Sequence, residues 1–184
     1  MMRLGSSNRP LIMPPFREAM SRVEVLDTSA LLSWSVDALE GGFVVEGQRA
    51  EINRIAPERI LSIEAARLNW ISPSNNSLKE ATELAMVTGD LVGLSKTDLS
   101  ILALALEKNG RVHTDDYRLQ NLCSAAGLEW SSVETTGISQ IWSWEVRCPG
   151  CGNVEEARKE TAPAGENVGN CKNCGAGLRV SRKR

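Results

Sequence analysis

Five acidic side chains are spaced so that a folded chain can gather them. Asp98 stands three residues after Ser95, where a helix should begin, and Asp115 and Asp116 follow the short run 111–114, where a strand should end. Asp27 closes the apolar run 23–26, and Glu51 lies early in a helical stretch over 48–55. Carboxylates crowded into a cleft raise one another's pKa unless a cation neutralises them, so such a set points to a divalent metal. Taken singly, each acid has an ordinary explanation: Asp98 as a capping-box acid, Asp27 as a helix-start acid, Asp115-Asp116 as a turn with a cap. Their joint placement at strand ends and helix starts favours a shared cation. With one histidine, His113, no Ser/His/Asp or Cys/His arrangement is supported, and no GxGxxG or GxxxxGK[ST] loop is present. His113 falls inside an expected strand and reads as structural.

A second constellation lies near the C-terminus. Cys148-Pro-Gly-Cys151 and Cys171-Lys-Asn-Cys174 are two CxxC knuckles, each followed by glycine, with 19 residues between Cys151 and Cys171. That spacing suits a tetrahedral four-thiolate zinc site, which has no open position and therefore holds a fold and does not catalyse. Disulfides are the rival, but nothing else in the chain speaks of an oxidising compartment. Cys123, beside Leu122 and Ala125, reads as a core filler.

The elements that must position these groups follow from periodicity. Strands are expected over 23–26, 43–45, 69–71, 111–114 and 128–130. Helices are expected over 28–39, 48–55, 57–68 and 77–87, then from Ser95 to Asn109-Gly110, and from Asp116 to about Ala126. Alternating strands and helices predict a parallel sheet with helices on both faces. Right-handed crossovers bring the carboxyl ends of the Asp27 and Asp115 strands to one edge. Asp27, Glu51, Asp98 and Asp115 can then meet there.

Composition is that of a soluble globular chain: 184 residues, 42% hydrophobic and 24% charged, enough for one domain plus a small appendage. No apolar run approaches the roughly 20 residues of a membrane span. Residues 1–19 lack the apolar core of a secretory signal, so export is not expected and 1–21 read as an N-terminal extension. The net charge of −2 hides a split. Residues 1–141 carry thirteen Lys/Arg against eighteen Asp/Glu, and residues 142–184 carry eight against five. An acidic body with a basic tail suits cation binding in the one and phosphate contact in the other.

Three segments carry a resemblance. VLDTSALL at 25–32, TGDLVGLSKTDLSILALAL at 88–106 and HTDDYRLQN at 113–121 resemble the PIN-domain nucleases. With the four-cysteine ribbon added, the chain resembles the archaeal and eukaryotic NIN-one-binding endonuclease family, over about residues 22–180. The resemblance implies an α/β fold: a PIN-like parallel sheet flanked by helices over 22–141, plus a small zinc ribbon and basic tail over 142–184. It implies a metal-dependent endoribonuclease making the last cut at the 3′ end of small-subunit ribosomal RNA, using one or two Mn or Mg ions. The alternatives are a catalytically inactive PIN-type module that binds RNA or the ribosome, or a PIN nuclease acting on another RNA. Asp27 and Asp98 match the family's first-strand and helix-start acids. Asp115 and Asp116 cover the strand-end acid, with Asp115 favoured. The second acid departs from the family pattern in GGFVVEGQRAEI, leaving Glu51 as the best match and Glu46 as a fallback. Thr114 or Ser29 would hold a phosphate or a water. Lys172, Arg179 and the Arg182-Lys183-Arg184 tail would grip RNA, and Trp142 and Trp144 would stack on bases or pack between lobes. The implied partners are precursor ribosomal RNA, the pre-small ribosomal subunit and its assembly factors. The implied location is cytoplasmic, with no membrane.

Overall fold

The computed structural model describes residues 22–155 and 168–183. The expected N-terminal extension and Arg184 of the basic tail lie outside them. Strands β1 (Glu24–Leu26), β2 (Phe43–Val44), β3 (Asn69–Trp70), β4 (Arg111–His113) and β5 (Trp130–Ser131) form one five-stranded sheet in the order β3-β2-β1-β4-β5. Every pairing in it is parallel, so each connection is a helical crossover. The order reverses between β1 and β4, and it is beyond the carboxyl ends of these two strands that Asp27 and Thr114-Asp115-Asp116 emerge.

Pleating splits each strand between two cores. Val25 and Val112 point to one side, joining Ala81, Ala85, Leu99, Leu102, Leu119 and Leu122 from α5 (Asn75–Thr88), α6 (Lys96–Lys108) and α7 (Tyr117–Ala125). Leu26 and Val44 point to the other, against Ala30 and Leu31 of α1 (Thr28–Ser33), Leu39 of α2 (Val36–Leu39), Ile52 of α3 (Gly47–Ile55) and Ile63 of α4 (Ile60–Ala65). The parallel sheet with helices on both faces is therefore as expected. Cys123 is a fully buried core residue whose thiol pKa burial pushes up to about 12.

Local differences from the expected elements have physical causes. The single helix expected over 28–39 is broken at Trp34 and Ser35, both in extended conformation. The Arg59 guanidinium caps the break, donating to the carbonyls of Leu31 at 2.8 Å and Trp34 at 2.6 Å. Helix α5 starts two residues earlier than expected because Ser74, not Ser77, is its cap, its hydroxyl accepting the Ser77 N–H. A short 3-10 turn, Asp90–Gly93, precedes α6 and was not foreseen. Beyond residue 143 a second, antiparallel sheet forms from β6 (Trp144–Arg147), β7 (Val154–Glu155) and β8 (Arg179–Arg182) in the order β7-β6-β8. Among the described residues no helix is long and apolar enough to cross a membrane.

Candidate active site

Asp27 is the N-cap of α1 and only 7% exposed. Its Oδ1 accepts the Thr28 N–H at 2.6 Å, and its Oδ2 accepts the hydroxyls of Thr114 at 2.6 Å and Ser29 at 3.1 Å. Three donors fix the carboxylate and still leave one of its roughly four lone-pair directions. Burial nonetheless raises its pKa, against those hydrogen bonds and with help from the Asp116 charge. Thr114 is the joint between strands: it donates to Asp27 while accepting the Asp116 N–H at 2.9 Å. Thr114 and Ser29 thus both hold the Asp27 carboxylate, and Ser29 also accepts the Asp115 N–H at 3.3 Å.

Helix α3 is fastened to the end of β1 by Gln48, fully buried, whose amide bridges the Val45 N–H and the Leu26 carbonyl. Glu51 follows one turn later and accepts the Thr28 hydroxyl at 2.9 Å, which brings it to the N-terminus of α1 beside Asp27. The fallback acid, Glu46, is instead paired with Arg49 at 3.1 Å on the surface. At Gly47 an added Cβ would lie 2.9 Å from the Thr97 hydroxyl, so the starts of α3 and α6 pack closely. Asp98, one residue beyond Thr97, closes a full capping box with Ser95: the Ser95 hydroxyl accepts the Asp98 N–H while Asp98 Oδ2 accepts the Ser95 N–H at 2.8 Å. Burial first, then the charges of Asp116 and Asp27, push the Asp98 pKa up to about 6.

The two strand-end acids have separate tasks. Asp115, favoured from the sequence, turns to the loop after β5, where it accepts the N–H groups of Val133, Glu134 and Thr135 and the Thr135 hydroxyl. Burial opposes its charge, but these hydrogen bonds prevail and hold its carboxyl below the usual range. Asp116 caps α7 through the Arg118 N–H at 2.7 Å, and its charge is the one felt by both Asp27 and Asp98. Asp27, Glu51, Asp98 and Asp116 are therefore the acids that the fold draws to this edge. His113 is structural: its ring bridges Glu24 at 2.6 Å and Ser131 at 2.7 Å and packs edge-on to Trp34.

The four ribbon cysteines converge, their sulfurs all within 4.8 Å of one another, and among the described residues they are the only such ligand group. The Cys151 N–H holds the Cys148 thiol below its usual range, and the Asn153 N–H does the same for Cys151. Cys174 has the Ala176 N–H, yet the neighbouring sulfurs of Cys148 and Cys151 keep its proton on, with a pKa of about 12. Four sulfurs this close cannot all carry charge without a cation, so the donor set fits a soft divalent ion such as zinc.

A third cluster, not anticipated from the sequence, joins the two sheets. Asn121 donates to Asp90 at 2.8 Å and to the Trp142 carbonyl at 2.6 Å, and accepts the Trp142 N–H. Asp90 is fully buried with its pKa raised by that burial; Arg118 lies 3.8 Å from it and 4.5 Å over the Trp144 ring. Gly89, at φ +81°, lies so close to the Trp144 carbonyl oxygen that a Cβ would sit 2.1 Å away. Val92 then packs with Val146 and Val168, against Leu178 and Val180. Trp144 is thus packing between lobes. The signal was present: Gln120-Asn121 sit between Leu119 and Leu122, polar groups inside an apolar helical stretch.

Comparison with known proteins points to one class. The family described as PIN domain of ribonuclease matches residues 25–107. The chain is 34% identical over 137 residues to ribonuclease VapC1 of Thermoplasma acidophilum, covering 74% of this chain and 71% of that protein. It is also 30% identical over 161 residues to endoribonuclease Nob1 of Pyrococcus abyssi, covering 87% and 94% of the two chains. Nob1 of Methanothermobacter thermautotrophicus is 31% identical over 167 residues, covering 88% and 92%. The chain belongs to the PIN-domain endoribonucleases, in the family of the archaeal Nob1 enzymes.

Proposed function

We propose that this endoribonuclease hydrolyses precursor ribosomal RNA at the 3′ end of the small-subunit RNA, using Mn or Mg ions held by Asp27, Glu51, Asp98 and Asp116. The metal reading is supported by placement: Asp27 caps α1, Glu51 accepts the Thr28 hydroxyl beside it, Asp98 opens α6 and Asp116 caps α7, and the charges of Asp116 and Asp27 help raise the Asp98 carboxyl. Hard divalent cations are the partners such donors suit. Asp116 is preferred to Asp115 because the latter is committed to the 133–135 loop. When bound, the ions supply the positive charge that makes water a nucleophile at neutral pH and stabilises the leaving oxygen of an in-line displacement. The chain itself fixes the donors: the Thr28 N–H and the Ser29 and Thr114 hydroxyls orient Asp27, the Thr28 hydroxyl orients Glu51, and Ser95 orients Asp98. No side-chain base is required, and His113 is spent on Glu24 and Ser131.

Residues 22–141 act as the nuclease body and 142–184 as a zinc-stabilised ribbon that engages RNA phosphates. The pre-small ribosomal subunit and its assembly factors are the partners this reading expects, in a cytoplasmic setting. The supporting likeness is to relatives named endoribonuclease Nob1, matched over most of their length. A second reading, cleavage of another RNA, draws on the likeness to ribonuclease VapC1. The deciding assay incubates the protein and Mn²⁺ with RNA spanning the small-subunit 3′ end, and separately with unrelated single-stranded RNA. A single discrete cut in the first, lost in Asp27→Asn and Asp98→Asn, is expected. Equal cutting of both RNAs would favour the second reading, and cutting that persists in both variants would remove the acids from the site.

A further inference from the structure

The proposed nuclease edge passes directly into an aromatic and basic surface. Tyr117 follows Asp116 and opens α7, yet its side chain is left 46% exposed. Its ring centre lies 6.2 Å from that of Trp142, with the planes tilted by 59°. Trp142 is half-buried and stands edge-on to Trp144 at 5.9 Å, and the Arg182 guanidinium lies 4.9 Å over the Trp142 ring. Trp144 is taken up by the fold, with Arg118 over its ring and Gly89 against its backbone. Tyr117 has no such duty: an exposed ring on the first turn of a helix gains little from packing on one edge of Trp142.

The charges beside these rings are of one sign where it matters. Arg147 is neutralised by Glu145 at 2.6 Å, but among the described residues Arg182 and Lys183 form no ion pair. They line a surface depression next to Ser181. Neighbouring side chains therefore run from Asp116 of the cleft, through Tyr117 and Trp142, to Arg182 on the ribbon, which forms no ion pair among the described residues. Rings beside unpaired cations suit a nucleobase with its phosphate, and a base is available to them only in an unpaired strand.

We propose that Tyr117 and Trp142, with Arg182, form a stacking site for an unpaired RNA base, so that the strand next to the cut bond is held single between the nuclease body and the ribbon. This rests on the reading of the acid edge as the place of RNA cleavage. The site would select single-stranded RNA over duplex independently of which bond is cut.

The test uses the full zinc-loaded chain carrying Asp98→Asn, without Mn²⁺ or Mg²⁺, so that binding is measured apart from cleavage. A fluorescent twelve-nucleotide single-stranded RNA and a duplex of the same sequence are titrated in parallel. Tyr117→Ala is expected to weaken the single strand by about 5- to 150-fold, the range of one lost base–aromatic stack, and to leave the duplex within about twofold. Tyr117→Phe keeps the ring and should bind like the parent. Arg182→Ala should weaken the single strand and reduce the salt slope by about 0.7, one phosphate contact. Unchanged single-strand binding in Tyr117→Ala overturns the proposal, as does an equal loss for both RNAs or a parent that does not bind the single strand. If the wild type fails to cut with Mn²⁺ while Tyr117→Ala shows the selective loss, the nuclease assignment of the edge falls and the stacking site stands.

Discussion

Replacing Asp98 by Asn tests whether the acid edge is held under electrostatic tension. The folded chain raises this carboxyl from 3.8 to about 6, chiefly by burial and then by Asp116 and Asp27, so the native state binds its proton more tightly than the unfolded chain does. Stability from this group is present while it is protonated and is lost as pH rises through the interval from about 4 to 6. Over the whole interval the loss is about 3 kcal/mol. Roughly half of that, about 1.5 kcal/mol, falls between pH 5 and pH 8, a range in which the ribbon can keep its metal. Asn keeps the neutral shape and an oxygen for the Ser95 N–H but cannot carry the charge. A weaker hydrogen bond lowers stability by a constant amount at every pH, so the informative quantity is the change in the variant's effect with pH.

Thermal unfolding of the wild type and Asp98→Asn, without added divalent ions, should therefore show the variant gaining about 1.5 kcal/mol relative to wild type between pH 5 and pH 8. For a body of this size that is roughly 5 °C in Tm. Added Mn²⁺ at pH 8 should raise the Tm of the wild type and not that of the variant. A variant whose offset from wild type is the same at both pH values would refute the claim that the folded chain opposes this charge.

Asp116→Asn should reduce Mn²⁺-dependent RNA cleavage by about 100-fold or more, because several kcal/mol of charge stabilisation depend on the ion site. Asp115→Ala should instead lower stability by about 2 kcal/mol through loss of the 133–135 contacts, visible as a fall in Tm. Removing the ribbon metal with a chelator should unfold the β6–β8 sheet and leave the β1–β5 sheet intact, read by NMR amide dispersion. Asn121→Ala leaves Asp90 short of a donor and frees the Trp142 backbone, so protease cleavage between residues 132 and 143 should accelerate at unchanged Mn²⁺ affinity of the nuclease body.

Periodicity carried the parallel sheet and its edge because those depend on local pattern: alternating strands, caps at Ser95 and Asp116, and stops at Gly89 and Asn109, although the first helix is capped by Asp27 and not by Thr28-Ser29. The cysteine knuckles were legible for the same reason, since their spacing is itself local. The division of labour between Asp115 and Asp116 was not. Adjacent residues at a strand end point in different directions, and which one faces the cleft depends on where the loop after β5 returns, about twenty residues later. The broken first helix was hidden likewise, because the carbonyls left open at Trp34 are satisfied by Arg59, far along the chain.

The segments Thr88-Gly89-Asp90 and Gln120-Asn121 serve assembly: they join the nuclease body to the ribbon. Asp90 is an acid even more buried than Asp27, yet its neighbours are Asn121, Arg118, Thr88 and the side chain of Trp144. A carboxylate without water is costly unless paired; here Asn121 donates both to Asp90 and to the Trp142 carbonyl, and Arg118 lies 3.8 Å from Asp90 and over the Trp144 ring. Asn121, through both backbone groups of Trp142, therefore ties the position of the ribbon to α7. The same helix begins at Asp116 and Tyr117, and its Gln120 holds the Thr114 carbonyl at 2.8 Å beneath the acid edge. One turn and a half of helix thus sets the acid, the exposed ring and the angle of the ribbon together. A change that shifts α7 should disturb cleavage and RNA grip in concert, whereas a change confined to the cysteines should disturb the grip alone.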